Sequence, residues 1–177
     1  MPMIDVCIPE GALAPATEAA LLKDLTDILL RAEGFDPANP VAQSVSVAYL
    51  HRPAAIFVGG APAPEPRYRI VASVPEGQYD DDARRRLVTD VTAAVARAEG
   101  RAFGDVASRV WVFPTEVPEG GWGSRGVIRP LPDIHAFIAG EAERPVGAAR
   151  LARRRRDKAR VLLESVLGAL AAEPRER

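Results

Sequence analysis

Apolar residues fall into short blocks separated by prolines, glycines and charges. Met3 to Ile8 is mostly apolar with weak alternation, which predicts a strand covered on at least one face. Pro9-Glu10-Gly11 ends it. Pro15 suits the first turn of a helix, where its missing N–H is no loss. Leu21, Leu22, Leu25, Ile28 and Leu29 recur at helical spacing, and Gly34 is placed for a C-terminal cap. Val45 to Leu50 predicts a second strand. Tyr68 to Val74 then predicts another strand, followed by a helix opened by Asp80-Asp81-Asp82, acids that suit the positive end of its dipole. That helix carries the stripe Leu87, Val88, Val91, Ala94, Val95 and Ala98, and Val110 to Phe113 follows as a strand.

The second half repeats the first. Ile8-Pro9-Glu10-Gly11 returns as Val74-Pro75-Glu76-Gly77, and Arg31-Ala32-Glu33-Gly34 as Arg97-Ala98-Glu99-Gly100, both at an offset of 66. Beyond them Val45-Ser46-Val47 matches Val110-Trp111-Val112, and Phe57 matches Trp122, at an offset of 65. The expected organisation is two βαβ units, 1–66 and 67–140, and a helical extension, 141–177. Each unit's strands should lie parallel with a right-handed crossover. The fold class is α/β in pattern and α+β in architecture: a four-stranded sheet backed by two helices, plus a C-terminal helix. The other face of the sheet has nothing to cover it before residue 140, so self-association is expected.

Composition narrows the function. Apolar residues make up 47% and charged residues 27% of the 177 positions, which excludes wholesale disorder. No window reaches the roughly 18 apolar residues of a membrane span. The N-terminal pattern is not that of a secretory signal, so the expected location is cytoplasmic. A single cysteine, Cys7, gives no disulfide framework, and two histidines, His51 and His135, lie too far apart to argue a metal site. Neither a metal nor a cofactor is expected. The net charge of −1 divides into −5 over residues 1–140 and +4 over 141–177. Arg153-Arg154-Arg155-Arg156 and Lys158 form the densest basic run, read as a solvated helix face rather than a nucleic-acid or membrane contact. The helix, expected over about 148–172, carries Ala159, Leu162, Leu163, Val166, Leu167 and Leu170 as a stripe to dock on its own or a neighbouring subunit.

The opening Met1-Pro2-Met3-Ile4-Asp5-Val6 with Ile8-Pro9-Glu10-Gly11 resembles the tautomerase superfamily. Val110-Trp111-Val112 and Gly120-Gly121-Trp122-Gly123 are similar to the second strand and aromatic loop of 4-oxalocrotonate tautomerase. The two-copy layout resembles fused members, such as malonate semialdehyde decarboxylase and cis-3-chloroacrylic acid dehalogenase. The resemblance covers roughly residues 2–130 and leaves the extension unexplained. It implies a trimer and a catalytic Pro2, exposed as a secondary amine once Met1 is trimmed.

The chemistry of such an amine agrees. An α-amino group titrates ordinarily near 7.7–8.0, and burial or nearby cations bring it toward neutrality, where it can move a proton beside a carbonyl. The arginines that family members use on dicarboxylates are absent: the corresponding positions are Ala12 and Gln78, and Ser46 and Trp111. Tyr68 stands at the Pro2 position of the second copy, so one amine per chain is expected. Arg125, Arg52 and Gln78 are the candidates for binding and polarising the substrate, and Phe57 and Trp122 for an apolar wall. The resulting expectation is a cofactor-independent tautomerase-like isomerase acting on a small carbonyl or enol acid. The alternatives are a catalytically silent trimeric scaffold or binding protein, and a related decarboxylase or hydratase.

Overall fold

The computed structural model describes residues 3–171. The first half runs β1 (Met3–Cys7), α1 (Pro15–Glu33), α2 (Pro40–Ser44) and β2 (Val47–His51), then a small hairpin, β3 (Phe57–Val58) and β4 (Ala61–Pro62). The second half repeats it with β5 (Tyr68–Pro75), α3 (Asp81–Glu99), α4 (Phe103–Ala107), β6 (Val110–Val117) and the hairpin β7 (Gly123–Ser124) and β8 (Val127–Ile128). The chain continues through α5 (Leu131–Ala139), a 3-10 turn (Glu141–Glu143) and α6 (Arg144–Ala171).

The main sheet has the order β2-β1-β5-β6. Pairing is parallel within each βαβ and antiparallel between β1 and β5, so the sheet is mixed. Alternation decides its faces. Ile4, Val6, Ile70, Ala72 and Val74 point under α1 and α3, where they meet Leu21, Leu25, Leu29, Leu87, Val91 and Val95 in one buried core. Val88, expected in the α3 stripe, is 39% exposed; Thr92 and Ala96 are buried instead. The opposite face is open: Val47, Tyr49, Trp111 and Phe113 are each more than 40% exposed.

The registers correct the match between the copies. Met3 pairs with Val47 and Arg69 with Trp111, so Val47 corresponds to Trp111, an offset of 64 rather than 65. An even offset is required, because a shift of one would turn every side chain of the strand to the other face. The hairpins keep the offset of 66: Ala63 N–H donates to Ile56 O as Arg129 N–H does to Trp122 O. Trp122 therefore corresponds to Ile56 and not to Phe57.

The extension differs most from expectation. Helix α6 begins at Arg144 and takes Pro145 into its first turn, so Pro145-Val146-Gly147 starts the helix instead of breaking the chain. Gly147 lies where a Cβ would stand 2.9 Å from Leu131 O and Pro132 Cα, which lets α6 cross closely over α5. The apolar stripe at the far end is not docked on its own chain: Leu162, Leu163, Leu167 and Leu170 are each over 60% exposed. It is the first half of α6 that packs, with Leu151 buried. No helix among the described residues is long and apolar enough to cross a membrane.

Candidate active site

A helix joining two parallel strands runs back across the sheet, so the end of α1 lies beside the starts of β1 and β2. Because β5 is antiparallel to β1, its exit, Glu76-Gly77-Gln78, reaches the same end of the sheet. Four polar side chains meet there. Glu33, at the last position of α1, is fully buried, and Gln78 and His135 are each 2% exposed. Arg150 comes in from α6 and donates from Nη1 to Glu33 O at 2.5 Å and to Gln78 Oε1 at 3.3 Å. His135 Nε2 lies 3.1 Å from the same Gln78 Oε1, and its ring leans on Phe35 at a centroid distance of 5.0 Å.

Burial dominates the electrostatics. It holds His135 down at about 4, with the Arg150 charge acting in the same direction, so the imidazole is neutral near pH 7. It pushes the Glu33 carboxyl up and the Arg150 guanidinium down. Tyr79 is raised by burial and then by the neighbouring Glu33.

The extension is tied down over this cluster. Glu116 accepts from Gly77 N–H at 2.9 Å, from Arg84 Nη2 at 2.6 Å and from Arg154 Nε at 2.7 Å. Glu76 accepts from Glu119 N–H at 3.1 Å and pairs with Lys158, whose hydrogen bond holds its carboxyl below the ordinary range. Gly77 has φ +95°, and a Cβ there would stand 3.0 Å from Leu131 Cδ2 and Leu151 Cα. A larger residue would strain the turn and lift the extension.

The equivalent end of the second copy is closed differently. Glu99, 66 positions beyond Glu33, accepts from Arg109 Nη1 and Nη2 at 2.8 and 2.5 Å. The Arg109 hydrogen bond is the main cause of its lowered pKa. Tyr68 is pushed up by burial and by Glu99 next to it. Val45 stands where Arg109 would be in the first copy, and the cation there, Arg150, comes from the extension instead.

Pro2 lies outside the described residues. Met3, bonded to it, opens β1 opposite Val47 and Ser73. Of the other candidates, Gln78 is in the buried cluster. Trp122 is half-buried against Leu30, Phe35, Ala42, Ile134 and Ile138, near the same end. Arg125 occupies the β7–β8 turn with φ 52° and covers the Phe137 ring at 5.2 Å. Arg52 follows β2 at the opposite end and binds Glu18 through two hydrogen bonds of 3.0 and 2.8 Å. Phe57 is 60% exposed in the first hairpin. Within one protomer Arg52 and Phe57 do not join the cluster. Glu33, His135 and Arg150 went unmarked as site residues; the one signal was Glu33, repeated as Glu99 at the end of an apolar helical stripe.

Solved structures share this architecture. A wild-type fused 4-OT that forms a symmetric trimer is 22% identical, with 78% of this chain and 98% of that chain covered and a TM-score of 0.58. A member of the cis-3-chloroacrylic acid dehalogenase family is 20% identical, covering 72% and 83%, with a TM-score of 0.59. Pt0534 inactivated by 2-oxo-3-pentynoate is 19% identical, covering 71% and 94%, with a TM-score of 0.58. Neither a protein-family model nor a curated protein sequence matches the chain. The chain has the tautomerase-superfamily fold, carrying an additional helical extension.

Proposed function

We propose that the chain is a cofactor-independent keto–enol tautomerase-like isomerase using the amine of Pro2, freed by removal of Met1, on a small 2-oxo or enol acid. One observation carries this reading: the buried Glu33, Gln78 and His135 converge with the half-buried Arg150 at the end of the sheet where β1 begins, one residue along the chain from Pro2. Perturbed titratable groups gathered in this way mark functional sites. The neutral amine takes the proton of an enol hydroxyl, the oxygen becomes a carbonyl, and the C=C electron pair takes the proton back at carbon. The amine is thereby regenerated. The Gln78 amide is the neutral donor to the substrate oxygen at a position where family members place arginine.

A homotrimer is part of the proposal. It covers Val47, Tyr49, Trp111 and Phe113 on the open sheet face, and it is the state of the fused 4-OT relatives. Arg52, Phe57 and Arg125 contribute to a site only if a neighbouring protomer brings them there. One observation favours a second reading, a catalytically silent binding protein: Leu131 and Leu151 pack directly over Gly77 and close the site end within the chain. The test is ketonisation of 2-hydroxymuconate or phenylenolpyruvate, without added metal or cofactor, by protein whose intact mass shows loss of Met1. Turnover supports the enzyme; no turnover of either enol by trimmed protein supports the second reading.

A further inference from the structure

We infer that the start of the second copy carries a ligand pocket of its own, which holds a small aryl carboxylate between Arg67, Arg69 and an aromatic wall. Strands β1, β5 and β6 place Cys7, Arg69 and Trp111 side by side in the last row that all three share, at the rim of the open sheet face. This is the opposite end of the sheet from Glu33 and Gln78. A cavity of about 440 Å³ lies there, walled by Trp111 and Phe113 together with Pro53 and Ile56 from the segment that follows β2. Its size suits a small organic molecule. The pocket is independent of Pro2 and of the removal of Met1.

The wall is apolar, and the two charges on it are both positive. Arg69 lies over the Phe113 ring at 5.6 Å. Stacking occupies the flat face of a guanidinium and leaves its N–H edge free for an anion. Arg67 donates one long hydrogen bond, from Nη1 to Ser108 O at 3.4 Å, and its buried Nε has no partner among the described residues. Neither arginine forms an ion pair among the described residues. Glu65, two positions before Arg67, is taken by Arg101 and Arg109, and Asp5, on the open face, by His51. A buried donor without a partner, beside uncompensated charge, calls for an acceptor from outside the chain. A carboxylate fits, because its two oxygens match the guanidinium edge. A phosphate would turn its remaining oxygens onto Phe113 and Ile56, which offer no donor. A flat ring on the acid completes the fit by packing against Trp111 and Phe113.

The two tryptophans stand at opposite ends of the sheet, so 5-fluorotryptophan labelling gives each end its own fluorine resonance, assigned with Trp122→Phe. The probe is 3-phenylpropionate, which has no 2-oxo or enol group to turn over. It should shift the Trp111 resonance saturably, with half-saturation on the order of 1 mM. The uncharged 3-phenylpropionamide should bind about tenfold more weakly, a comparison made on unaltered protein that needs no variant to fold. Arg67→Gln or Arg69→Gln should weaken the acid by about tenfold and leave the amide nearly unaffected. A Trp111 resonance that stays unmoved at about 20 mM acid, whatever Trp122 does, would overturn the assignment; a neighbouring protomer filling the rim would give that result. Equal binding of acid and amide, or unchanged binding of the acid in both arginine variants, would overturn it as well.

Discussion

Arg150 Nη1 donates to the main-chain oxygen of Glu33 at 2.5 Å, joining positions 117 residues apart. The contact ties the extension to the last turn of α1, at the end of the sheet where β1 starts. Its counterpart in the second copy, Glu99 with Arg109, is made within the repeat. The two copies have thus diverged in where the cation comes from.

Replacing Arg150 by Ala leaves Glu33 O and Gln78 Oε1 without their strongest donor. The expected loss is about 2–3 kcal/mol, since a hydrogen bond from a charged group is removed and buried acceptors remain. Urea denaturation measures it. Arg150→Lys should recover only part, because one ammonium cannot reproduce the planar fork. A loss within error for Arg150→Ala would mean that the extension is held by Leu151 and the Glu76 and Glu116 pairs alone.

Acid should destabilise the fold through His135. Its folded pKa of about 4 lies below the ordinary 6.5, so the unfolded chain binds the proton first. Its contribution is therefore complete above pH 6.5 and is lost as pH falls through about 4, amounting to about 3 kcal/mol. Denaturation curves collected across that window should slope downward toward acid in the unaltered protein. His135→Phe should flatten that segment; an unchanged slope would assign it to other groups.

Breaking the Glu99–Arg109 pair should cost stability without touching turnover. Both side chains are under 10% exposed, and Arg109→Ala strands a buried carboxylate at an expected cost of about 3–5 kcal/mol. The rate per folded site should stay near its original value, because Tyr68 offers no amine at that end. A selective loss of rate with stability intact would place the second copy in the chemistry.

The strands and long helices could be read from the chain because each makes its own periodic pattern. Leu21, Leu25 and Leu29, and Leu87, Val91 and Val95, needed only the helical repeat. The alignment of β2 with β6 failed by one residue. The short helices α2 and α4 intervene, and loop lengths leave no periodic trace. His135 and Arg150 were out of reach for a different reason. They belong to the part of the chain outside the repeat, and a lone histidine among Ile134 and Ala136 reads as core until the fold sets Gln78 against it. The far half of α6 shows the reverse error: a clear stripe, Leu162 to Leu170, that its own chain leaves uncovered.

That uncovered stripe predicts an outcome for truncation. Ending the chain after Lys158 removes exposed apolar surface and keeps Arg150, Leu151 and Arg154. The folded protomer should lose less than about 1 kcal/mol, and any change should appear in self-association. Ending it after Glu143 removes Leu151 from over Gly77 as well. That protein should melt well below the full chain and lose turnover, which separates a brace from a part of the site. Trp111→Asp on the open sheet face should turn a trimer into protomers of 19.0 kDa by light scattering; a trimer that survives it would move the interface elsewhere.

Whether the amine of Pro2 is the base is decided by comparing enol ketonisation in trimmed protein and in protein with one residue left ahead of Pro2, both shown to be folded. Activity is expected only in the trimmed form, with a rate that rises with pH through the amine's titration because the neutral amine is the reactive one. Equal rates in the two proteins would contradict it.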